Sequence, residues 1–453
     1  MQNICFVANY SKTYLFHAIA QVLADEQVQV SWICTNRGLY DFLSEQYPAE
    51  ALLLINLDHL DKPQAPIQEF KLNELVLGDR VFRHTPEVGL QFLQNIQQDI
   101  YDFLQKQDCR FVFGEITWAH ELLIHRICSR CAELNCQYLN PHVVRLPNRR
   151  FAFFTDEYQS EFYESGQARP AAFDMIEVRP PSYLKINDKI QRKARSIKGR
   201  LDRIRRFITN ENIDKKDPTH IVSERIRLSV RSKEELYKET YKLVPRQPAD
   251  SVRGENYVFL GLHKQPEASI DVLGRYYEDQ LCNIRNIWRV LPNNWKLVVK
   301  EHTNAIGDRG LAFYKNLQQL PNLILVDEKT PSYDLIKEAR AVITVSGTMA
   351  YEAALMKIPA FTFAPTFFNR LNCCRRLELR DLQSCGHFKQ LIWQLESSYD
   401  NRLKFSNYLM KHSFEGVFID PVTLPDVMQA ENIALLSEAF QHIIHSKVKA
   451  ASY

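Results

Sequence analysis

The chain has 453 residues, 45% of them hydrophobic, with a formal net charge of +3 and ten cysteines. That length supports about two to three domains with full cores. The mild charge excludes a dedicated nucleic-acid binder, whose domains carry a strong basic excess. The cysteines, at positions 5, 34, 109, 128, 131, 136, 282, 373, 374 and 385, are scattered through apolar or helical contexts, which predicts reduced thiols in a cytosolic protein.

The opening MQNICFVANYSKTYLFHAIAQVLADEQVQVSWIC reads as a strand, a loop, an amphipathic helix and a second strand. It lacks the basic segment and uninterrupted apolar run of a signal peptide, and no stretch of about 18 apolar residues occurs elsewhere. The expectation is a cytoplasmic protein, or one lying on the inner face of a bacterial inner membrane. The run RFVFG (110–114) predicts a strand with Glu115 at its end, Gly114 allowing a sharp exit and a helix following over 119–133. Cys128 and Cys131 form a C-x-x-C with Cys136 and His142 nearby. A zinc site normally shows a second well-spaced pair, so buried helix packing is the expected role. After a short strand at 137–139, the segment VVRLPNRRF carries Arg145, Arg149 and Arg150 in a loop. Their paired donors suit acceptor sugars or an acceptor phosphate.

Residues 185–206 contain ten Lys or Arg against Asp188 and Asp202, and Ile186, Ile190, Ile197, Leu201, Ile204 and Ile208 recur mostly every three to four positions. This predicts a helix with one apolar and one cationic face. It packs on its own domain, lies on an anionic inner leaflet, or contacts an acidic glycan. The stretch 209–250, broken by Pro218, Pro245 and Pro248, shows no strand pattern. The expected organisation is an N-terminal α/β domain (1–178), a charged helical insertion or connector (179–255), a C-terminal α/β domain (256–415) and closing helices (416–453).

The C-terminal half carries the sharpest signals. A hydrophobic strand YVFLGL (257–262) leads into HKQPEAS, and strands are predicted at 296–300, 323–326, 341–345 and 360–363. Polar residues stand at the strand ends, where an α/β sheet binds ligands. Thr330 and Pro331 read as an N-cap and first helical residue. Lys300 and His302, at the end of KLVVK, can meet a diphosphate or a sugar carboxylate with charge and donors. Ser346, Gly347 and Thr348 leave AVITV and open the helix MAYEAALM, where free amides and two hydroxyls suit a phosphate. Glu352 lies one turn further on the same face, placed for ribose hydroxyls. The competing reading is an ordinary strand-to-helix turn with Glu352 solvated. Phe367 and Phe368, past the last strand, form a sugar-stacking wall or core.

Taken in order, GLHKQPEASI (261–270), WKLVVKEH (295–302), the pair Pro321-Asn322 and AVITVSGTMAYEAALMKIPAFTF (341–363) resemble the bacterial capsule polysaccharide synthesis proteins, the group that includes the retaining β-Kdo transferases. The resemblance covers roughly 256–368 well and 108–156 more loosely. It implies an α/β fold of two Rossmann-like domains facing a cleft, of the GT-B glycosyltransferase type, with a helical basic insertion. The nucleotide is then held mainly by the C-terminal domain, and the last helix crosses back to the first. The implied activity is transfer of a ulosonic acid (Kdo, pseudaminic or a related nonulosonic acid) from its CMP-activated donor to a capsule or surface polysaccharide acceptor. No metal or other cofactor is implied, and the chain contains no Asp-x-Asp pair.

The family stretch of Gln, an acidic nucleophile, Ala and Ser matches Gln265, Glu267, Ala268 and Ser269, with Glu267 where the family usually has Asp and Asp271 as the reserve nucleophile. Glu115 matches a family acidic residue and takes the acid/base role. Thr303 follows His302 where proline is usual. The implied partners are the CMP donor and a saccharide or lipid-linked acceptor, with inner-membrane contact through 185–206 and no nucleic acid. A CDP-polyol phosphotransferase or sialyltransferase on the same architecture, or a non-catalytic capsule assembly partner, are the alternatives.

Overall fold

The computed structural model describes residues 2–24, 28–165 and 214–446. The basic segment 185–206 lies outside them. Short apolar runs such as CFV, VVK and AVIT are too uniformly hydrophobic for a one-sided sheet, and they form strands covered on both faces.

The first sheet contains β1 (Gln2–Val7), β2 (Val28–Cys34), β3 (Leu52–Leu54), β4 (Phe111–Phe113), β5 (Gln137–Val143), β6 (Arg150–Phe154) and β13 (Ser413–Glu415), in the order β13-β6-β5-β4-β1-β2-β3. β1 to β5 are parallel, and β6 and β13 are antiparallel additions. The second sheet contains β7 (Tyr257–Gly261), β8 (Lys296–Lys300), β9 (Leu323–Val326), β10 (Ala341–Thr344), β11 (Ala360–Thr362) and β12 (Cys374–Arg376), all parallel, in the order β12-β11-β10-β7-β8-β9. Each sheet thus follows the Rossmann pattern 3-2-1-4-5-6, with its strand order reversing between β1 and β4 or between β7 and β10. Those reversals open a crevice beyond the carboxyl ends of the strands.

The helices that matter for the site are α1 (Lys12–Ala24), α2 (Leu72–Gly78), α3 (Ala119–Arg130), α4 (Glu224–Tyr241), α5 (Ala268–Asp271), α6 (Thr348–Leu355) and α7 (Ala430–His445). α4 falls in the stretch without strand pattern. α7 crosses back to the first domain: Phe440 packs 4.7 Å from Phe113 and 4.9 Å from Phe153, in one core with Phe6 and α1. Among the described residues no helix is long and apolar enough to cross a membrane.

Several expectations are corrected. β5 extends to Val143, and Arg150 opens β6 rather than sitting in a loop, because Val143 and Phe151 register as an antiparallel hairpin. Ser413–Glu415, expected in the C-terminal domain, pairs with β6 instead. Arg150 Nε donates to Ser413 Oγ at 2.9 Å and its guanidinium also reaches Ser413 O, which ties the strands together. The helix expected to start at Pro331 starts at Ser332 with Pro331 as N-cap, since a turn from Thr330 N to Asp327 O holds the chain extended one residue longer. The predicted helix 119–133 ends at Arg130.

The two domains meet through a buried charge cluster. Arg126 of α3 donates to Glu74 (2.8 Å) and Glu157 (2.6 Å), and Arg275 of the second domain bridges the same two carboxylates. Arg275 also lies 4.2 Å above the Tyr158 ring. Burial opposes ionisation of Glu74 and Glu157, but the Arg126 guanidinium outweighs it and holds both carboxyls below their ordinary 4.5. Beside this cluster Arg83 donates to Asp271 at 2.9 Å. Gly78 is required there, because a Cβ would stand 2.7 Å from Asp271 O.

A folded pKa depressed below the unfolded one contributes stability above the unfolded value that is lost as the pH falls through the folded one. Removing one partner of a buried cluster strands the others. Arg275→Ala is therefore expected to lose about 3–5 kcal/mol at pH 7. Below pH 4.5 the parent should lose stability more steeply than the variant. Urea unfolding of both proteins at pH 3, 5 and 7 checks this.

Candidate active site

On the N-terminal wall, β1 ends at Val7 and the chain turns through Asn9 into α1, so Lys12 sits at the helix start facing the end of β4. Lys12 forms an ion pair with Glu115. Asn9 Nδ2 lies within reach of Glu115 Oε2 (3.0 Å), Thr117 Oγ1 (3.2 Å) and Glu121 Oε1 (2.8 Å). The backbone of Glu115 is held too, because its carbonyl accepts from the Tyr138 hydroxyl at 2.6 Å. That approach leaves no room for a side chain at Gly114, whose Cβ would collide with the same hydroxyl. Glu121 Oε2 accepts from Thr117 N, Thr117 Oγ1 and Trp118 N at 2.7–3.0 Å. Burial, with the neighbouring Glu115, pushes the Glu121 carboxyl up to about 7 against these donors.

On the C-terminal wall, the loop after β7 carries Glu267 at the N-cap of α5, where Ser269 Oγ donates to Glu267 Oε2 at 2.8 Å. His263 is buried beside it. Its Nε2 accepts from Val345 N (3.2 Å) and Ser346 N (3.4 Å) and contacts Thr344 Oγ1 at 2.7 Å, while burial pushes the imidazole down to about 3. The neutral ring thereby acts as an acceptor for the backbone leaving β10. Arg309 is buried beneath, donating to Glu301 Oε1 at 2.8 Å and to His263 O.

The expected phosphate corner is therefore only partly available. Ser346 N is turned to His263, Ser346 Oγ donates to Ser269 O, and Gly347 N donates to Thr344 Oγ1 at 3.2 Å. The amides of Thr348 and Met349 remain without an acceptor among the described residues. His302 is exposed at the cleft surface. Asn304 N donates to its Nδ1 at 3.1 Å, which puts the ring proton on Nε2. Desolvation lowers its pKa, helped by Lys300, and Glu267 opposes the shift. Lys300 is buried, donates to Glu328 O at 3.3 Å and is lowered by burial. Burial raises Glu352, with Arg145 opposing.

These walls enclose one cleft of about 710 Å³. It brings together Glu115, Glu267, Lys300, His302, Ser346, Gly347, Thr348, Glu352 and Arg145. Phe367 and Phe368 border it, but they are buried against Tyr351 as core.

The remaining sequence candidates stand elsewhere. Asp271 is buried, accepts from Arg83, from Gln265 Nε2 (2.8 Å) and from Glu267 N (3.0 Å), and serves as a structural strut that does not line the cleft. Gln265 is engaged in this support: its backbone N donates to Asp308 Oδ2 at 3.0 Å and its Nε2 to Asp271 Oδ1 at 2.8 Å. Arg150 is engaged between strands, and Arg149 is exposed outside the cleft with its carbonyl accepting from Gly416 N at 3.0 Å. All ten cysteines are free, Cys128, Cys131 and Cys136 are buried, and the described residues contain no group of three or more metal-binding side chains.

Sequence reasoning misses Lys12, Asn9, Glu121, Asn140, His142 and His263 as parts of the site. Only His263 carried a signal, standing inside the motif 261–270. The others act through partners about 100 positions away or on a strand longer than expected.

No protein-family model and no curated protein sequence matches this chain. Among solved structures it is similar to the β-Kdo 2,7 transferase of Thermosulfurimonas dismutans KpsC (11% identity, 72% of this chain and 84% of that one, TM-score 0.34). It is also similar to the calicheamicin glycosyltransferase CalG4 (12%, 99% and 100%, TM-score 0.28) and to UDP-GlcNAc 2-epimerase from Methanocaldococcus jannaschii (12%, 91% and 99%, TM-score 0.28). At these values the likenesses carry no argument about activity, which has to come from the cleft.

A carboxyl raised on folding contributes stability that is present below its ordinary 4.5 and lost as the pH rises through about 7. Glu121→Gln should abolish that loss. Between pH 5 and 8 the parent is expected to lose about 2–3 kcal/mol relative to the variant, measured by chemical unfolding.

Proposed function

We propose that this protein is a glycosyltransferase that moves a ulosonic acid, such as Kdo or a related nonulosonic acid, from a CMP-activated donor to a saccharide acceptor with retention of configuration. The observation that carries this reading is the pair of carboxylates, Glu115 and Glu267, on opposite walls of one cleft, with Lys300, His302 and the start of α6 lining it on the side of the second. Retaining transfer needs such a pair, one to attack the anomeric carbon and one to exchange a proton.

In the first step the bond from the anomeric carbon to the CMP phosphate oxygen breaks through an oxocarbenium-like state, and a Glu267 oxygen bonds to that carbon. Lys300, the Nε2 proton of His302 and the amides of Thr348 and Met349 take up the phosphate charge. Ser269 holds the Glu267 carboxylate in position, and Glu352 accepts from the ribose hydroxyls. A quaternary anomeric carbon next to its own carboxylate ionises readily, so little acid catalysis is needed. In the second step Glu115 takes the proton of an acceptor hydroxyl as that oxygen displaces Glu267 from the anomeric carbon. These donors serve the phosphate, and the scheme uses no metal ion. The fixed geometry around Glu115 keeps the base aligned, as positioning demands.

Thermal shift with CMP, CDP, UDP and GDP at matched concentration tests the donor. CMP should stabilise selectively, by roughly 2.7 kcal/mol at about 100 times its dissociation constant. A preference for CDP or UDP would move the protein to another transferase class, and no shift with any of them would favour a non-catalytic assembly partner. Glu267→Ala should keep the CMP shift and lose transfer from CMP-Kdo by at least about a thousandfold. Full activity in that variant would remove Glu267 as nucleophile.

A further inference from the structure

The wall that carries Glu115 has two uncharged polar side chains with no part in the scheme above. Asn140 and His142 are two residues apart on β5, so they share a face of the sheet. Both line the cleft. β5 runs parallel to β4 with Leu139 opposite Phe113, which sets Asn140 beside the turn that leads into Glu115.

Asn140 is only 2% exposed, and its Nδ2 is buried without an acceptor among the described residues. A desolvated amide donor with no partner weakens the folded state, and folds tolerate such groups where a ligand completes them. His142 is half-buried, and burial, helped by the charges of Lys12 and Arg145, pushes its imidazole down to about 3. It is therefore neutral across the physiological range, offering one donor and one acceptor. Of the nearby charges, Lys12 is paired with Glu115, and Arg145 lies within electrostatic reach of Glu352. Uncharged groups that both donate and accept hydrogen bonds suit a neutral polyhydroxylated ligand.

We infer that Asn140 and His142 form the subsite for the acceptor sugar, with one hydroxyl taking the Asn140 amide hydrogen, another pairing with His142, and a third left facing Glu115. The catalytic meaning of that placement depends on Glu115 acting as the base proposed above. Binding itself does not.

The test uses Asn140→Leu and His142→Phe with three probes, methyl β-galactopyranoside, methyl α-mannopyranoside and methyl β-N-acetylglucosaminide, followed by saturation-transfer NMR in the presence of CMP. The parent should bind at least one glycoside. Each variant should weaken that binding at least tenfold and leave the CMP thermal shift unchanged. Asn140→Leu should unfold at the parent's temperature or above it, because it removes an unsatisfied buried donor. The subsite is overturned if the variants bind the glycoside as well as the parent does, if no probe binds the parent, or if Asn140→Leu lowers the unfolding temperature by several degrees, as a structural asparagine would. Glycoside binding that depends on Asn140 in a protein indifferent to CMP would keep the subsite and reject the donor reading.

Discussion

Four side chains, Arg126, Arg275, Glu74 and Glu157, decide how the two sheets face each other. Three come from the first domain and one from the second, and the two guanidiniums share the same pair of carboxylates. Buried charges of this kind are tolerable only as a complete set, because any one left alone is an uncompensated ion. Everything at the cleft inherits this geometry. Asp271 is pinned by Arg83 across the same interface and in turn holds Glu267 N, so the loop that carries Glu267 is tied to the first domain.

The two walls treat their polar groups differently. On the N-terminal side Glu115 is wrapped by Lys12, Asn9 and, through Asn9, Glu121, a closed set that fixes a carboxylate in orientation. On the C-terminal side the buried neutral His263 draws in the amides that follow β10 and gives the loop its shape. In the proposed reading the phosphate is met instead by the start of α6 and by Lys300 and His302. Both sites lie where the strand order of their sheet reverses, the one place in each sheet where neighbouring loops diverge and leave room for a ligand.

Much of the second domain was legible from its residues. Lys296–Lys300 and Leu323–Val326 form strands because short β-branched runs bounded by polar turns have little alternative, and the helix after Gly347 follows from its alanine-rich pattern. Legibility failed where a long-range partner overrides local pattern. Arg150 looks like a loop arginine until Ser413 arrives from more than 250 positions away to extend the sheet. Ser346 looks like a phosphate ligand until Ser269 claims its hydroxyl. Asp271 looks like a spare nucleophile until Arg83 is brought against it.

By itself the sequence determined the class of fold, the strands that carry polar ends, and the chemical kinds of residue at those ends, because hydrophobic periodicity and turn chemistry are local properties. The tertiary structure alone decided which carboxylates stand on the two walls of the cleft, which hydroxyls and amides are engaged elsewhere, and that Asn140 and His142 line the cleft while Lys12 pairs with Glu115. Those outcomes depend on strand order and on one buried ion cluster between domains, and both join residues too far apart in the chain for any local pattern to register.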